Sequence, residues 1–265
     1  MSRARDMTGD LESRCDLLRS LHVPGTPLVL ANAWDVATAK AVAAAGFPAV
    51  ATTSGGVAAA LGYEDHEGAP ADEMLAAAAR IARGVDVPVS VDAEAGYGMS
   101  PEELVAALHG AGAAGCNLED TDHATETLRG PARHAEWLRG VREAASGRDY
   151  GLVINARIDV FLSALGEGSQ GERVSEALER AHAYLDAGVD CVYPIALWEQ
   201  DALGAFVPEA RGAVNILALP QGPSVPALAE LGVARVSYAS LLHRQAMEQF
   251  ESALESLAAD AAGEG

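Results

Sequence analysis

The sequence predicts an α/β protein, a single (βα)8 barrel of the TIM type, on three observations. A phrase in which an alanine- or leucine-rich helical segment reaches a glycine and runs into a short apolar stretch recurs at residues 41–50, 107–118, 184–193 and 228–237. Glycine readily adopts the left-handed conformation that ends a helix, so each phrase predicts a helix-to-strand junction. Eight apolar runs have the length of fully buried parallel strands. Helical patterns separate these runs throughout, which favours a closed barrel over an open sheet.

The predicted elements alternate along the whole chain. Strands are expected at residues 27–32, 48–53, 88–93, 115–120, 151–156, 189–195, 214–219 and 233–239. Helices are expected at residues 35–45, 71–83, 100–111, 131–146, 171–187, 198–206, 224–231 and 240–260. The third helix has a clear start signal, because Ser100 can cap it and Pro101 suits its first turn. A further helix over 10–21 should close the bottom of the barrel, and the lack of any linker-like stretch predicts one domain over residues 1–265.

Composition excludes several classes of function. Apolar residues make up 49% of the 265 residues, enough for a large core, and the formal net charge is −20 with a pI near 4.6. Such a charge repels nucleic acids and anionic membrane surfaces, so neither is expected as a partner. Lys40 is the single lysine, and its place on the first helix predicts a solvent-facing side chain. Schiff-base or P-loop chemistry therefore has one poor candidate.

The cysteines indicate a reducing environment. Cys15, Cys116 and Cys191 are odd in number, widely spaced and form no CxxC pair, so a disulfide framework is not expected. Cys116 and Cys191 lie in apolar strand runs, where buried and inert thiols are usual. The N-terminus lacks the apolar core of a signal peptide and no segment approaches the length of a membrane span. We therefore expect a cytoplasmic protein.

Acidic residues concentrate at the predicted carboxyl ends of the strands, where barrels of this type place their active sites. Asp92 and Glu94 are two residues apart on the third strand and should face the same side. Glu119 ends the next strand, and Asp65 can reach over from the preceding loop. Oxygen ligands without histidine or cysteine suit Mg²⁺, or alternatively Mn²⁺. The neighbouring acids Glu64 and Asp120 are instead expected to be solvated loop charges.

Two features are candidates for binding an anion. Ser54, Gly55 and Gly56 follow the second strand and can present their backbone N–H groups as a concave nest. Arg157 ends the fifth strand and offers a planar guanidinium that can bind a carboxylate through two hydrogen bonds. Arg157 has an alternative interpretation, as a structural partner of Asp159 or of an acid at the rim.

The ordered motifs NAWD, TTSGG, LGYED, VDAEAGYG, GAAGCNLED and NARID together resemble the isocitrate lyase/phosphoenolpyruvate mutase superfamily over residues 28–240. The resemblance implies a (βα)8 barrel that binds magnesium and acts on C–C or P–C bonds of small anionic 2-oxo or 2-hydroxy acids. It also implies a C-terminal helix exchanged between subunits, and hence a homodimer or homotetramer.

The resemblance also implies roles for single residues. Asp92 corresponds to the direct metal ligand, and the residues that reach the metal partly through water are Asp65, Glu94 and Glu119. The substrate-binding positions are Trp34, Ser54, Gly55, Gly56 and Arg157.

The loops depart from the named activities. The KKCGH-type loop of the isocitrate and methylisocitrate lyases is missing, and residues 121–130 contain neither the lysine nor the asparagine of the phosphonate enzymes. Glu94 replaces an aspartate and Ile158 replaces a common threonine. We expect a magnesium-dependent C–C lyase, with Arg157 and the loop residue His123 (or Arg129) in catalysis. The alternatives are a P–C mutase or hydrolase and a non-catalytic barrel that binds oxo acids.

Overall fold

The computed structural model describes residues 7–162 and 164–262 and contains the predicted barrel of eight parallel strand positions wrapped by helices. The helices are α1 (Met7–Ser20), α2 (Val36–Ala44), α3 (Ser54–Leu61), α4 (Ala71–Gly84), α5 (Pro101–Ala111), α6 (Pro131–Ser146), α7 (Gln170–Asp186), α8 (Gln200–Phe206), α9 (Val225–Glu230) and α10 (Leu241–Ala262). The strands are β1 (Leu28–Leu30), β2 (Asn32–Ala33), β3 (Val50–Thr52), β4 (Val89–Asp92), β5 (Gly115–Glu119), β6 (Thr121–Asp122), β7 (Thr127–Leu128), β8 (Val153–Ile158), β9 (Cys191–Pro194), β10 (Ala213–Leu217) and β11 (Arg235–Ser237).

The barrel closes through its first strand. The sheet order is β1-β11-β10-β9-β8-β5-β4-β3-β2, and β1 and β2 are consecutive pieces of the predicted strand 27–32. Leu28 lies opposite Arg235 of β11, whereas Asn32 lies opposite Ala51 of β3. A barrel staggers its strands, so the first strand meets the last strand at its beginning and the second strand at its end. The sequence predicts this strand as one unbroken run, and the structure divides it at Ala31.

The interior of the barrel contains a group of polar side chains, although branched apolar residues usually fill such a space. Asn117 and Asn155 are register neighbours two residues before Glu119 and Arg157, and they face the interior as those residues face the mouth. Asn155 Nδ2 donates to Asn117 Oδ1 at 2.8 Å, and Asn215 Nδ2 donates to Ser237 Oγ at 3.1 Å. The large apolar core lies instead between the outer face of the strands and the helices.

Two short elements were not predicted. Helix α3 begins at Ser54, where the sequence predicts a loop, because two glycines in its first turn hide the helical signal. Gly62 ends α3 with a left-handed φ of 91°. The loop after β5 folds into the antiparallel hairpin β6–β7. Both elements lie at the carboxyl ends of the strands.

Helix α10 packs on this chain only near its start. His243 packs edge-on against Trp34 with 5.0 Å between the ring centroids, and none of the 22 residues of the helix is buried. A stripe of large apolar side chains is exposed on it at helical spacing: Met247, Phe250, Leu254 and Leu257. In the described part of the chain, no helix combines the length and apolar character needed to span a bilayer.

His134 of α6 is a buried neutral base. Its ring is fully buried and lies 5.6 Å from the Trp137 ring and 5.1 Å from the Tyr184 ring, between centroids. Neither ring nitrogen has a hydrogen-bond partner among the described residues. Burial lowers the pKa of His134 to about 3, with the positive charges of Arg129 and Arg180 acting in the same direction and Asp159 acting against it.

The buried histidine predicts a loss of stability in acid. Between pH 6.5 and pH 3 the unfolded chain binds a proton at His134 and the folded chain does not, so stability falls as the pH is lowered through this window. The contribution approaches about 1.4 kcal/mol per pH unit. We expect His134→Phe to remove it in urea unfolding measured from pH 8 to pH 5. His109→Phe, at a partly exposed histidine of α5, leaves His134 in place and should still lose stability in acid. Parallel profiles for His134→Phe and wild type would contradict the prediction.

Candidate active site

Asp92 ends β4 and is held by the start of α3. Its backbone N–H donates to Thr52 Oγ1 at 2.8 Å, and its Oδ2 accepts the backbone N–H of Ser54 at 3.0 Å. The other oxygen, Oδ1, is buried and has no hydrogen-bond partner. Asp92, the predicted direct metal ligand, therefore has one carboxylate oxygen that accepts a hydrogen bond from a helix N-terminus. Its other oxygen has no hydrogen-bond partner.

Asp65 lies against the same helix start. A Cβ atom at Gly55 would stand 2.7 Å from Asp65 Oδ2 and 2.9 Å from Ser240 Oγ, so a larger residue here would displace these two side chains. At Gly56 a Cβ atom would meet Trp34 Cβ at 3.1 Å. Ser54, Gly55 and Gly56 thus form the first turn of a helix rather than a loop nest, but their N–H groups still point out of its positive end. Like Asp92, Asp65 has a buried Oδ1 without a partner.

Glu94 reaches the site from a turn and not from the strand. Strand β4 ends at Asp92, and Glu94 adopts a left-handed φ of 47°. Its Oε2 accepts the backbone N–H of Glu67 at 2.5 Å, and the Glu67 carboxylate accepts the backbone N–H of Tyr97 at 2.6 Å. Burial, followed by the charges of Asp92, Asp65 and Glu119, raises the pKa of Glu94 to about 7. The expectation of two side chains from one strand is wrong in its geometry, although Glu94 does join the acidic group.

Arg157 binds two carboxylates of its own chain. Its Nη1 lies 2.5 Å from Glu119 Oε2, and its Nε and Nη2 donate to the two Asp159 oxygens at 2.6 and 2.8 Å. Burial raises the pKa of Glu119 and the charge of Arg157 opposes this, while the pKa of Asp159 is lowered because Arg157 outweighs the effect of burial. The alternative interpretation of Arg157, a partner of Asp159 and of a rim acid, describes these contacts.

His123 joins the same group from the β6–β7 hairpin. Its Nε2 lies 2.6 Å from Glu119 Oε1, and its ring centroid is 5.4 Å from that of His66. Burial lowers the pKa of His123, but the hydrogen bond and negative charge of Glu119, with Glu67 and Glu94, outweigh burial and raise it. The hairpin therefore places an ionisable ring directly over Glu119.

Asp120 is fully buried, which corrects the expectation of a solvated loop charge. Its Oδ1 accepts the backbone N–H of Asp159 at 2.9 Å, and its Oδ2 accepts Arg180 Nη1 at 3.0 Å and the Tyr184 hydroxyl at 2.6 Å. Arg180 also donates to the Arg129 carbonyl at 2.7 Å. This buried network fixes the residue that holds Arg157. Glu64, predicted with Asp120, is exposed as expected.

The sulfur and lysine side chains offer no nucleophile here. The three cysteines are free and buried, and burial raises the pKa of each thiol to about 12. Lys40 is exposed on α2. These positions are consistent with the sequence analysis, which predicts neither a cysteine nucleophile nor a Schiff-base lysine.

The acidic group fits a hard divalent cation with few direct protein ligands. Within residues 7–162 and 164–262, no three His, Cys, Asp or Glu side chains stand together as a ready-made metal cage. Glu94 and Glu119 already accept hydrogen bonds from Glu67, His123 and Arg157. Asp92 and Asp65, in contrast, each have a buried oxygen without a partner. One or two carboxylates with water completing the shell is the arrangement that Mg²⁺ prefers.

The chain is similar to known proteins in both sequence and structure. The sequence profile of the phosphoenolpyruvate phosphomutase family matches residues 18–258. A Corynebacterium glutamicum protein named "Probable 2-methylisocitrate lyase 1" is 32% identical over 247 residues, covering 89% of this chain and 79% of that protein. The crystal structure of a phosphonomutase candidate from Burkholderia cenocepacia superposes with a TM-score of 0.88 at 37% identity, over 93% of this chain and 99% of the other. Oxaloacetate acetylhydrolase bound to oxalate superposes with a TM-score of 0.81 at 22% identity, over 93% and 87%.

The buried network predicts that Asp120 is a stability determinant. Asp120→Ala leaves Arg180 and the Asp159 N–H without their buried acceptor, so we expect the free energy of unfolding to fall by about 3 kcal/mol or more. Urea unfolding at pH 7 measures this loss. Glu64→Ala removes an exposed acid and should change the value by less than about 0.5 kcal/mol. A loss below about 1 kcal/mol for Asp120→Ala would contradict the role of the network.

Proposed function

The chain belongs to the phosphoenolpyruvate phosphomutase family, in the isocitrate lyase/phosphoenolpyruvate mutase superfamily, and on this premise we propose that it is a magnesium-dependent C–C lyase. Its substrate would be a small 2-oxo or 2-hydroxy carboxylate, cleaved through a metal-stabilised enolate. Relatives in this superfamily include lyases and mutases. The barrel with its site at the carboxyl ends of the strands suits either reaction.

One observation carries the proposal. Asp92 and Asp65 each have a buried carboxylate oxygen without a hydrogen-bond partner, beside Glu94 and Glu119 and next to the start of α3. Two buried carboxylate oxygens that carry negative charge need a cation or water molecules as partners. We assign Asp92 as the direct ligand of Mg²⁺, or of Mn²⁺, with Asp65, Glu94 and Glu119 acting partly through water. When bound, the cation supplies Lewis-acid stabilisation of the negative charge that develops on the substrate oxygens.

The remaining residues bind and orient the substrate. The backbone N–H groups of Gly55 and Gly56 at the positive end of α3 would receive a substrate carboxylate, with Trp34 packing beside them. Arg157 would contribute N–H donors next to Glu119, sharing its guanidinium between protein and substrate carboxylates. Substrate binding thus depends on the Asp159 carboxylate that keeps Arg157 in place.

His123 is the proposed proton carrier. Its Nε2 lies 2.6 Å from Glu119 Oε1, and the hydrogen bond and negative charge of Glu119 favour the protonated ring. The ring would deliver its proton to the enolate carbon after the C–C bond breaks, and with a 2-hydroxy acid the Glu119 carboxylate would accept the hydroxyl proton. Because His123 is carried on the β6–β7 hairpin, closure of the hairpin over the site would also exclude water.

A P–C mutase or hydrolase is the second candidate. The family profile that matches this chain is that of phosphoenolpyruvate phosphomutase, and the Burkholderia cenocepacia structure is described as a phosphonomutase candidate. Residues 121–130, however, contain no lysine and no asparagine. The hairpin formed by these residues presents His123 to the site instead. We therefore rank the C–C lyase first.

Activity should depend on Mg²⁺ and on Asp92. We expect turnover of oxaloacetate or 2-methylisocitrate with Mg²⁺, none with EDTA, and a loss of about 100-fold or more in Asp92→Asn. Product formation is followed by proton NMR, and Glu64→Gln is the matched control at an exposed acid. If phosphonopyruvate is the only compound converted, as shown by a change in its phosphorus NMR signal, the P–C candidate is favoured. Binding of oxalate without turnover of any substrate would favour a non-catalytic barrel.

We also propose that the exposed stripe of α10 packs against a second copy of the chain, giving a homodimer or homotetramer. Phe250→Glu with Leu257→Glu would bury charge in that contact, so we expect the protein to elute as a monomer in size-exclusion chromatography with light scattering. Ser252→Glu, on the opposite side of α10, should leave the assembly intact. A wild-type monomer, or an unchanged assembly in the double variant, would refute this packing.

A further inference from the structure

Arg235 crosses the interior of the barrel. It lies on β11 opposite Leu28 and Asn215, and its side chain is completely buried. Its Nη2 donates to Asn117 Oδ1 at 3.1 Å. In the sheet order β11 and β5 are four strand positions apart, on opposite sides of an eight-position barrel. The guanidinium therefore spans the polar interior.

This guanidinium has no carboxylate partner among the described residues. Its Nε and Nη1 are buried without any hydrogen-bond partner in residues 7–162 and 164–262. The other large buried arginines, Arg157 and Arg180, each bind carboxylates at 3.0 Å or less. An unpaired buried charge is strongly destabilising, so its field must be balanced by charges farther away.

Asp92 is suited to balance Arg235. It lies opposite Asn117 in the β4–β5 register and faces the same interior. Burial lowers the pKa of Arg235, and Cys191, Tyr193 and the negative charge of Asp92 act in the opposite direction. Its Oδ1 is an acceptor without a partner, as is Asn155 Oδ1, while Ser90 Oγ is a further unpartnered group. Unpartnered donors and acceptors in one buried polar space are the usual setting for bridging water molecules.

We propose that Arg235 is a positioning residue, the resident counter-charge of the acids at the barrel mouth, coupled to Asp92 through bridging water. The part that concerns metal binding rests on the proposed function. Arg235 and a divalent cation stabilise the same carboxylates from different places. The presence of either cation therefore lowers the electrostatic stabilisation that the other can gain from these carboxylates. Arg235 thus limits the affinity for the metal, and it keeps the metal-free acids in place.

A double-mutant cycle without metal tests the coupling. Melting temperatures are measured in EDTA for wild type, Arg235→Met, Asp92→Asn and the double variant. We expect the double variant to melt at least about 3 °C above the value obtained by adding the two single shifts. The control cycle pairs Asp92→Asn with Arg142→Met, since Arg142 binds Asp190 at the other end of the barrel, and should be additive. Additive shifts with Arg235→Met would overturn the proposal; if that variant does not fold, Arg235→Gln takes its place.

A metal titration tests the second part. Arg235→Met should bind Mn²⁺ at least about threefold more tightly than wild type in calorimetry, and Arg142→Met should match wild type. Equal or weaker binding by Arg235→Met would refute the competition between the two cations. Wild type that binds no Mn²⁺ would refute the proposed function, and the metal-free cycle would still decide the coupling. A wild-type melting temperature that rises with chloride, and does not rise in Arg235→Met, would show a bound anion and overturn the proposal.

Discussion

The carboxylates of Asp92 and Glu119, at the ends of β4 and β5, meet that of Glu94 from the turn after β4, and their mutual repulsion must be compensated. Parallel strands all direct their carboxyl ends to one mouth, so an acidic chain that places acids there concentrates negative charge. Three contacts compensate this negative charge. The start of α3 donates to Asp92, the Glu67 backbone donates to Glu94, and Arg157 binds Glu119. The net charge of −20 is thus compensated locally, because each of these three acids accepts a hydrogen bond from the backbone or binds an arginine.

The repeated helix–glycine–strand phrase, the eight apolar runs and the helical patterns between them predict the order of the barrel strands and of all helices except α3. Helix 131–146 has the predicted bounds, and the other predicted helices agree to within a few residues at their ends. The phrase does not predict the stagger that splits the first strand, because strand pairing depends on residues distant in the chain. Helix α3 escaped prediction since its first turn carries two glycines, which lower intrinsic helical propensity.

At the site, residue type and strand position together predict the functional side chains at the strand ends, whereas the predicted exposure is right for Glu64 and wrong for Asp120. Asp92, Glu119 and Arg157 lie at the strand ends as predicted. The sequence predicts a solvated charge at Asp120, which follows Glu119 directly. A side chain one residue further on points to the opposite face, however, and there Arg180 and Tyr184 of α7 surround it. No motif in the sequence indicates Glu67, because its contacts with Glu94 and Tyr97 join two loops that are distant in the chain.

The split first strand has a consequence for how the chain acquires its fold. Closure pairs Leu28 with Arg235, so the first strand keeps an open edge until nearly the whole chain has been synthesised. Contacts of such sequence separation form slowly, and unpaired parallel edges favour aggregation in the meantime. Arg235 lies in that final strand and brings a charge into a space that the earlier strands have already lined with amides. Ribosome-bound chains ending before β11 are therefore expected to require protection by chaperones.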